Sequence, residues 1–244
     1  MMSRLRAALA QIRLRQFALM PARCPFCGPA LIVKLRDDEI AVRCLRCGAS
    51  AIHLSVGCAI AAEIPDLRAC DCYELSARGP LVDFLRRSTR TLTTSEYFAG
   101  VAPGASRDGV RCEDVQRLTF ADASFDLVTH TEVFEHVPDD AAAFREVHRV
   151  LKPGGRMIFT APPMSIPHTI ERARLRDGVV EHLLPPQSHH DPLRGGDPIL
   201  VYREYGADVV ERVAAAGFVE VRLLEPPARI PWNLNRRVVV ARCN

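Results

Sequence analysis

The sequence predicts an α/β protein: a seven-stranded, mostly parallel, doubly wound sheet with an antiparallel last strand, plus a small cysteine-bearing ribbon at the N-terminal end. Three observations predict it. Between residues 67 and 162, short apolar runs alternate with amphipathic segments, as in strands joined by crossover helices. The last two apolar runs, FVEVRLLE and RRVVVARC, leave no room for a crossover helix and so pair antiparallel. Two CxxC pairs, CPFC and CLRC, precede the alternating region. With 244 residues and 48% apolar composition, the chain can bury one sizeable core and carry an appendage.

The elements follow in order. Over residues 1–20, Leu5, Leu9, Ile12 and Leu19 recur at helical spacing with Arg4, Arg6, Arg13 and Arg15 among them, predicting a basic amphipathic helix that packs on the rest of the chain. Those arginines interrupt the apolar stretch that a secretory leader requires. No apolar run reaches the roughly 18 residues of a membrane span. Nine cysteines, several inside strand-like runs, suit a reducing compartment, and the cytoplasm is the expected location. Residues 1–50 hold 9 Lys+Arg against 3 Asp+Glu, a charge of +6, and the remainder holds 23 against 26, a charge of −3. A front segment this basic suits nucleic acid or an anionic surface. At +6 it reads more simply as a solvated face.

Over 21–50, sixteen residues separate Cys27 from Cys44, and two short strands flank an Asp-Asp turn. A glycine follows each CxxC, so a tight turn aims two sulfurs at one point. The thiolates of Cys24, Cys27, Cys44 and Cys47 match a tetrahedral structural zinc site with no position left for water. The alternative is free or disulfide-paired cysteines. Residues 51–66 read as a connector to a main domain over 67–244.

In that domain LRACDCYEL (67–75), RTLTTSEY (90–97), GVRCED (109–114), SFDLVTHTE (124–132) and GRMIFTAP (155–162) read as strands. PLVDFLRRS (80–88) and residues 139–151 read as helices, and KPGG (152–155) as a turn. After Pro162 the pattern breaks into an insertion over 163–200 rich in Pro, His, Asp and Gly, of the length of a lid. YGADVVERVAAA (205–216) resumes a helix before the final strand pair.

Residues 118–161 carry linked motifs: FDLV at a strand, then E-V-x-E-H-V, then an amphipathic helix ending in R-V-L-K-P-G-G, then a strand. In this order they resemble the class I, Rossmann-like S-adenosylmethionine-dependent methyltransferases. The resemblance covers roughly 67–161 and the closing strand pair. It implies a cofactor, S-adenosyl-L-methionine, at the carboxyl ends of the first strands. Glu74, Ser76, Ala77, Arg78 and Gly79 would lie under its methionine part. Glu96 would accept from the ribose hydroxyls and Asp114 from the adenine amine. Thr129, His130, Thr131 and Glu132 would border the transfer site. Carboxylates suit these partners because they only accept hydrogen bonds.

The sequence departs from the family in the first loop. Where relatives carry acid-x-Gly-x-Gly-x-Gly, this chain has ELSARG. Ser76 and Ala77 are small enough for close approach. Arg78 is new, and a guanidinium matches the cofactor's carboxylate in a two-pronged bond; pairing with Glu74 or facing solvent are the alternatives. Glu135 and His136 read as groups that cap and pack a helix start. In the insertion, His189, His190 and Asp191 offer a histidine base oriented by a carboxylate, against locally bonded loop histidines. A small-molecule or glycan acceptor, methylated on O or N, is the leading expectation. The alternatives are an RNA methyltransferase that grips RNA with the basic ribbon, and a non-catalytic scaffold with a degenerate cofactor pocket.

Overall fold

A computed structural model describes residues 15–37, 41–161, 165–190 and 198–244, without the side chain of His190. The N-terminal part is a three-stranded antiparallel ribbon of β1 (Ala18–Cys24), β2 (Gly28–Lys34) and β3 (Val42–Cys44). Of the expected helix over 1–20, residues 1–14 lie outside the described residues. Ala18, Leu19 and Met20 are strand, facing Lys34, Val33 and Ile32 across the hairpin. Pro21 disfavours helix at the residue before it, and the apolar ALIV run of β2 supplies cross-strand partners.

Residues 51–66, read as a connector, contain helix α1 (Ala51–Glu63). Ser50 caps it: its hydroxyl accepts from the His53 N–H, and the His53 ring accepts from the Ser50 N–H. α1 is apolar on all sides because it is buried on all sides. Ribbon residues Phe26, Ile32 and Val42 share one core with Leu54 and Ile60 of α1 and with Leu127, Ile158 and Val240 of the main sheet. Gly57 makes this packing feasible, since a Cβ there would lie 2.6 Å from Phe26 Cε1 and 2.8 Å from Pro25 Cγ.

The main sheet has six strands. These are β4 (Asp71–Glu74), β5 (Thr91–Thr94), β8 (Phe125–Thr131), β9 (Leu151–Thr160), β16 (Val219–Leu224) and β17 (Val238–Arg242), ordered β16-β17-β9-β8-β4-β5. β5, β4, β8 and β9 are mutually parallel, while β17 runs antiparallel to both β9 and β16. The antiparallel closing pair is as expected, but a seventh strand over 109–114 is not present. There β6 (Ser106–Arg107) and β7 (Val110–Arg111) form a tight hairpin, and only one parallel bridge, Glu96 to Cys112, extends the sheet. The Asp108-Gly109 turn, with both residues at positive φ, folds this short run back on itself. The KPGG turn is likewise absorbed into β9 as an irregularity in its pairing with β8.

Helices cover both faces. α2 (Pro80–Ser88) joins α1 on one, and α3 (Asp140–Val150) and α4 (Val209–Ala214) cover the other. Asp139 caps α3 by accepting from the Ala142 N–H at 2.9 Å. At the amino edge, Lys152 donates to Asp71 and Asp126 at 2.8 Å each and ties β4, β8 and β9 together. The described residues of the 163–200 region form short antiparallel strand pairs. β11 (Ala173–Arg176) pairs with β12 (Val179–His182), β13 (Ser188–His190) with β14 (Pro198–Leu200), and β10 (Ile170–Glu171) with β15 (Arg203–Glu204). Among the described residues no helix is long and apolar enough to cross a membrane.

Candidate active site

β4 and β8 run parallel, so Glu74 and Thr129 come to adjacent positions at their carboxyl ends, where open α/β sheets bind ligands. Both are fully buried, and the Thr129 hydroxyl donates a short hydrogen bond to the Glu74 carboxylate. Burial pushes the Glu74 carboxyl up to about 8; the Thr129 bond opposes this and the charge of Glu96 adds to it. A buried acid with its pKa raised in this way, at a strand's carboxyl end, is a candidate functional position.

The first loop leaves β4 at once. The Ala77 N–H donates to Glu96 Oε1 at 3.1 Å, so one oxygen of Glu96 holds the loop. Glu96 is itself fixed: its N–H donates to the Arg111 carbonyl at 2.9 Å and its carbonyl accepts from the Glu113 N–H at 3.0 Å. The loop ends at Gly79, whose φ of 119° only glycine adopts readily, and Pro80 then opens α2. Arg78 is exposed on this loop. The loop thus retains its turn with one glycine, because Ser76 and Ala77 sit at positions without positive φ.

The acidic pair after β7 divides its work. Glu113 is buried and satisfied by Arg111 Nε at 2.6 Å and by the Thr119 N–H at 3.0 Å. Asp114 is half-buried, with one oxygen accepting from the Gln116 N–H and Nε2, both at 3.0 Å. Its second oxygen retains acceptor capacity for a ligand.

β8 splits the last group of predicted residues. Thr129 and Thr131 alternate to one face, and His130 points to the other. His130 is fully buried against Phe134 and Phe159, with ring centroids 4.3 and 4.6 Å away. Neither of its ring nitrogens is hydrogen-bonded among the described residues, and burial drives its pKa well below the ordinary imidazole value. His130 therefore packs the core as a neutral ring and does not line the cofactor edge. Glu132 follows with a positive φ of 54°, its N–H bonded to the Thr160 carbonyl at 3.0 Å and its carboxylate 3.4 Å from Arg236. A non-glycine residue held there stores backbone strain at the sheet's carboxyl edge.

Residues 134–136 form a 3₁₀ turn in place of an α-helix start. Glu135 is fully buried, and His136 Nδ1 lies 2.8 Å from the Leu200 carbonyl oxygen. His189 on β13 approaches this turn, with its ring 5.2 Å from that of His136 at 87°. Both turn residues are packed, as the sequence predicts, and they set a carboxylate and an imidazole side by side at the end of a parallel strand. The side chain of His190 and all of Asp191 lie outside the described residues.

In the ribbon, the sulfurs of Cys24 and Cys47, and of Cys27 and Cys44, are each 3.6 Å apart, and all four lie within 4.8 Å of one another. Four sulfurs placed tetrahedrally about 2.3 Å from one ion would be separated by about 3.8 Å. Burial pushes the thiols of Cys24, Cys27 and Cys47 up to about 11.

Buried acids thus gather at the carboxyl edge of a parallel sheet, the place where open α/β sheets bind ligands. Residues 54–159 match the family described as a methyltransferase domain. That match begins within α1 and runs into β9, so it takes in the parallel strands that carry the site. A demethylmenaquinone methyltransferase of Mycolicibacterium vanbaalenii is 32% identical over 134 residues, 52% of this chain and 58% of that protein. An arsenite methyltransferase of Aquipseudomonas alcaligenes is 32% identical over 132 residues, 50% of this chain and 38% of that protein. The chain thus spans less than two thirds of the length of these relatives. An S-adenosylmethionine-dependent methyltransferase of known structure from Mesorhizobium loti superposes with a TM-score of 0.50 at 21% identity, covering 77% of this chain and 97% of that one. That likeness speaks for the fold alone.

Proposed function

We propose that this chain transfers a methyl group from S-adenosylmethionine to oxygen or nitrogen of a small-molecule or glycan acceptor. The observation that carries the reading is the buried Glu74–Thr129 pair beside the Glu96–Ala77 contact, at the carboxyl edge of the segment that matches the methyltransferase family. The donor set fits the cofactor. Glu74 offers a buried carboxylate to a cationic ligand; Glu96 and Asp114 have acceptor oxygens for ribose hydroxyls and an adenine amine; Arg78 offers a guanidinium to a carboxylate. Ser76, Ala77 and Gly79 let backbone approach the ligand. Thr131 and Glu132 face the transfer end.

The bound cofactor supplies an activated methyl on a sulfonium. The protein's part is to hold, align and exclude water. The proposed cover is the 163–200 region, supported by the Leu200 carbonyl, which accepts from His136 Nδ1 in the turn after β8 at 2.8 Å. His189 lies at that junction, and the proposed base is the next residue, His190, oriented by Asp191 beside it in sequence. Relatives named for menaquinone and arsenite methylation support a small acceptor over a polymer. The cysteine cluster is proposed to hold one structural Zn²⁺, and the 3.6 Å sulfur separations support that role.

Titration calorimetry with S-adenosylmethionine and S-adenosylhomocysteine tests the reading. Micromolar binding of both is expected. Absence of binding at millimolar ligand would overturn it in favour of a non-catalytic scaffold.

A further inference from the structure

We infer that Glu135, His136 and His189 form a second metal site, for a divalent transition-metal cation, beside the transfer end of the sheet. One ligand atom from each lies within 4.8 Å of the others. The Glu135 carboxylate is fully buried, and neither of its oxygens accepts a hydrogen bond among the described residues. Its Oε1 is 3.8 Å from His136 Nε2. A buried carboxyl without hydrogen bonds is unfavourable as an anion unless a cation meets it, and otherwise takes a proton that a metal ion would displace.

The imidazole is oriented as a ligand requires. His136 Nδ1–H donates to the Leu200 carbonyl at 2.8 Å, which fixes the tautomer, and Nε2 lies 3.8 Å from Glu135 Oε1. A backbone carbonyl behind the distal ring nitrogen is the usual support of a metal-bound histidine. His189 meets His136 edge to face, so the two rings converge without stacking. Three chain segments fix the cluster. His189 pairs with Ile199 across the β13–β14 hairpin, and the Tyr202 N–H binds the Glu135 carbonyl at 2.8 Å. Two guanidinium groups act on Glu135 from nearby: Arg203 donates to the carbonyls of Phe134 at 3.1 Å and Pro138 at 2.7 Å, and Arg236 lies 3.4 Å from the Glu132 carboxylate.

Two imidazoles and one carboxylate select Zn²⁺, Fe²⁺, Co²⁺ or Mn²⁺ over Ca²⁺ or Mg²⁺. Unlike the four-cysteine site, three protein ligands leave positions open for water or an oxygen of the acceptor. Only the acceptor part of this inference rests on the methyltransferase reading; the cation site stands or falls by itself.

The test uses full-length protein carrying one equivalent of Zn²⁺, titrated anaerobically with Co²⁺ and followed by visible absorption and metal analysis. We expect a second equivalent to bind with d–d bands and without new sulfur charge-transfer bands. Glu135→Gln and His189→Ala should each weaken it at least about tenfold, since loss of even a supporting partner costs 10–100-fold. Thermal unfolding checks that both variants fold; His189→Ala, on a peripheral hairpin, carries the comparison if Glu135→Gln does not. Failure of the wild-type protein to bind a second equivalent at about 100 µM free Co²⁺, or equal binding by a folded variant, would overturn the site. Neither result alters the calorimetry with S-adenosylmethionine, so the two readings fail separately.

Discussion

Replacing Glu74 by Gln should abolish a pH dependence of S-adenosylmethionine affinity that the wild-type protein shows between pH 6 and pH 8. Glu74 is fully buried, and its carboxyl is pushed up to about 8 by burial, against the Thr129 hydrogen bond. The proposed ligand is cationic at this end and requires the ionised carboxylate. At pH 6 about 1% of free protein carries that form, and at pH 8 about half does. Apparent affinity scales with the competent fraction, so it should rise about 50-fold over this range. Calorimetry in matched buffers measures the rise directly, and proton uptake by the buffer reports the proton released. Glu74→Gln should bind weakly and with no such slope. A flat wild-type profile, or the same slope in the variant, would refute the assignment. The same shift sets stability. The folded pKa lies above the ordinary 4.5, so between pH 4.5 and 8 the native state holds a proton that the unfolded chain has lost. Stability of the unliganded protein should therefore fall as pH rises across that window, by a few kcal/mol at most, and level off above pH 8. Urea unfolding of the variant should show no such fall.

Four further outcomes follow from the packing and the site. Glu96→Ala frees the Ala77 N–H and removes the proposed ribose acceptor, so cofactor affinity should drop about 10–100-fold, at the roughly 1.4 kcal/mol per decade that two charge-assisted bonds imply. Phe26→Ala removes a ring stacked on Phe84 at 4.6 Å in the shared core and should cost about 3–5 kcal/mol by denaturant unfolding. Gly57→Ala drives a methyl against Phe26 and Pro25 and should cost about 1–3 kcal/mol by the same assay. Cys47→Ser, or chelation of the metal, should release about one equivalent of zinc and lower the melting temperature, because ligand binding of this kind is folding free energy.

The sheet was legible because its strands announce themselves. FDLV and RMIFT are short, apolar and bounded by turn residues, and the linked motifs between them fix their order. The closing antiparallel pair followed from chain length alone. α1 was not legible, since AIHLSVGCAIAA is apolar on every face and so shows no helical period; its burial between ribbon and sheet explains that composition. The strand expected over 109–114 failed because its two apolar residues, Val110 and Cys112, cannot outweigh the hairpin turn at Asp108-Gly109. Glu74, Glu96 and Asp114 lie at or just beyond the ends of β4, β5 and β7, the positions the strand-like runs predict for them. His130 was misjudged because β8 alternates faces, and a motif read as a block ignores the alternation. The Glu135–His136–His189 cluster joins residues more than fifty positions apart, a proximity that only the hairpin pairing of β13 with β14 creates.

The ribbon's place in the fold bears on the cofactor loop. Phe26 lies inside the first CxxC turn, and its position follows from the geometry that Cys24 and Cys27 share with Cys44 and Cys47. That ring stacks on Phe84 of α2, and the Arg87 guanidinium of α2 donates to the Phe26 carbonyl at 2.9 Å. α2 begins at Pro80, directly after Gly79, so the helix the ribbon grips is the one that anchors the end of the ELSARG loop. In relatives with a glycine-rich loop, the backbone approaches the ligand by its own conformational freedom. Here that freedom is reduced, and two external contacts set the loop instead: Glu96 on the Ala77 N–H at one end and the ribbon on α2 at the other. A chain that exchanges glycines for Ser76, Ala77 and Arg78 needs its loop held from outside, and the four-cysteine ribbon is placed to do that. The proposed zinc site and the proposed cofactor loop are then joined through α2. Loss of metal should loosen cofactor binding before it unfolds the sheet, whereas an ornamental ribbon would lose its metal with affinity unchanged.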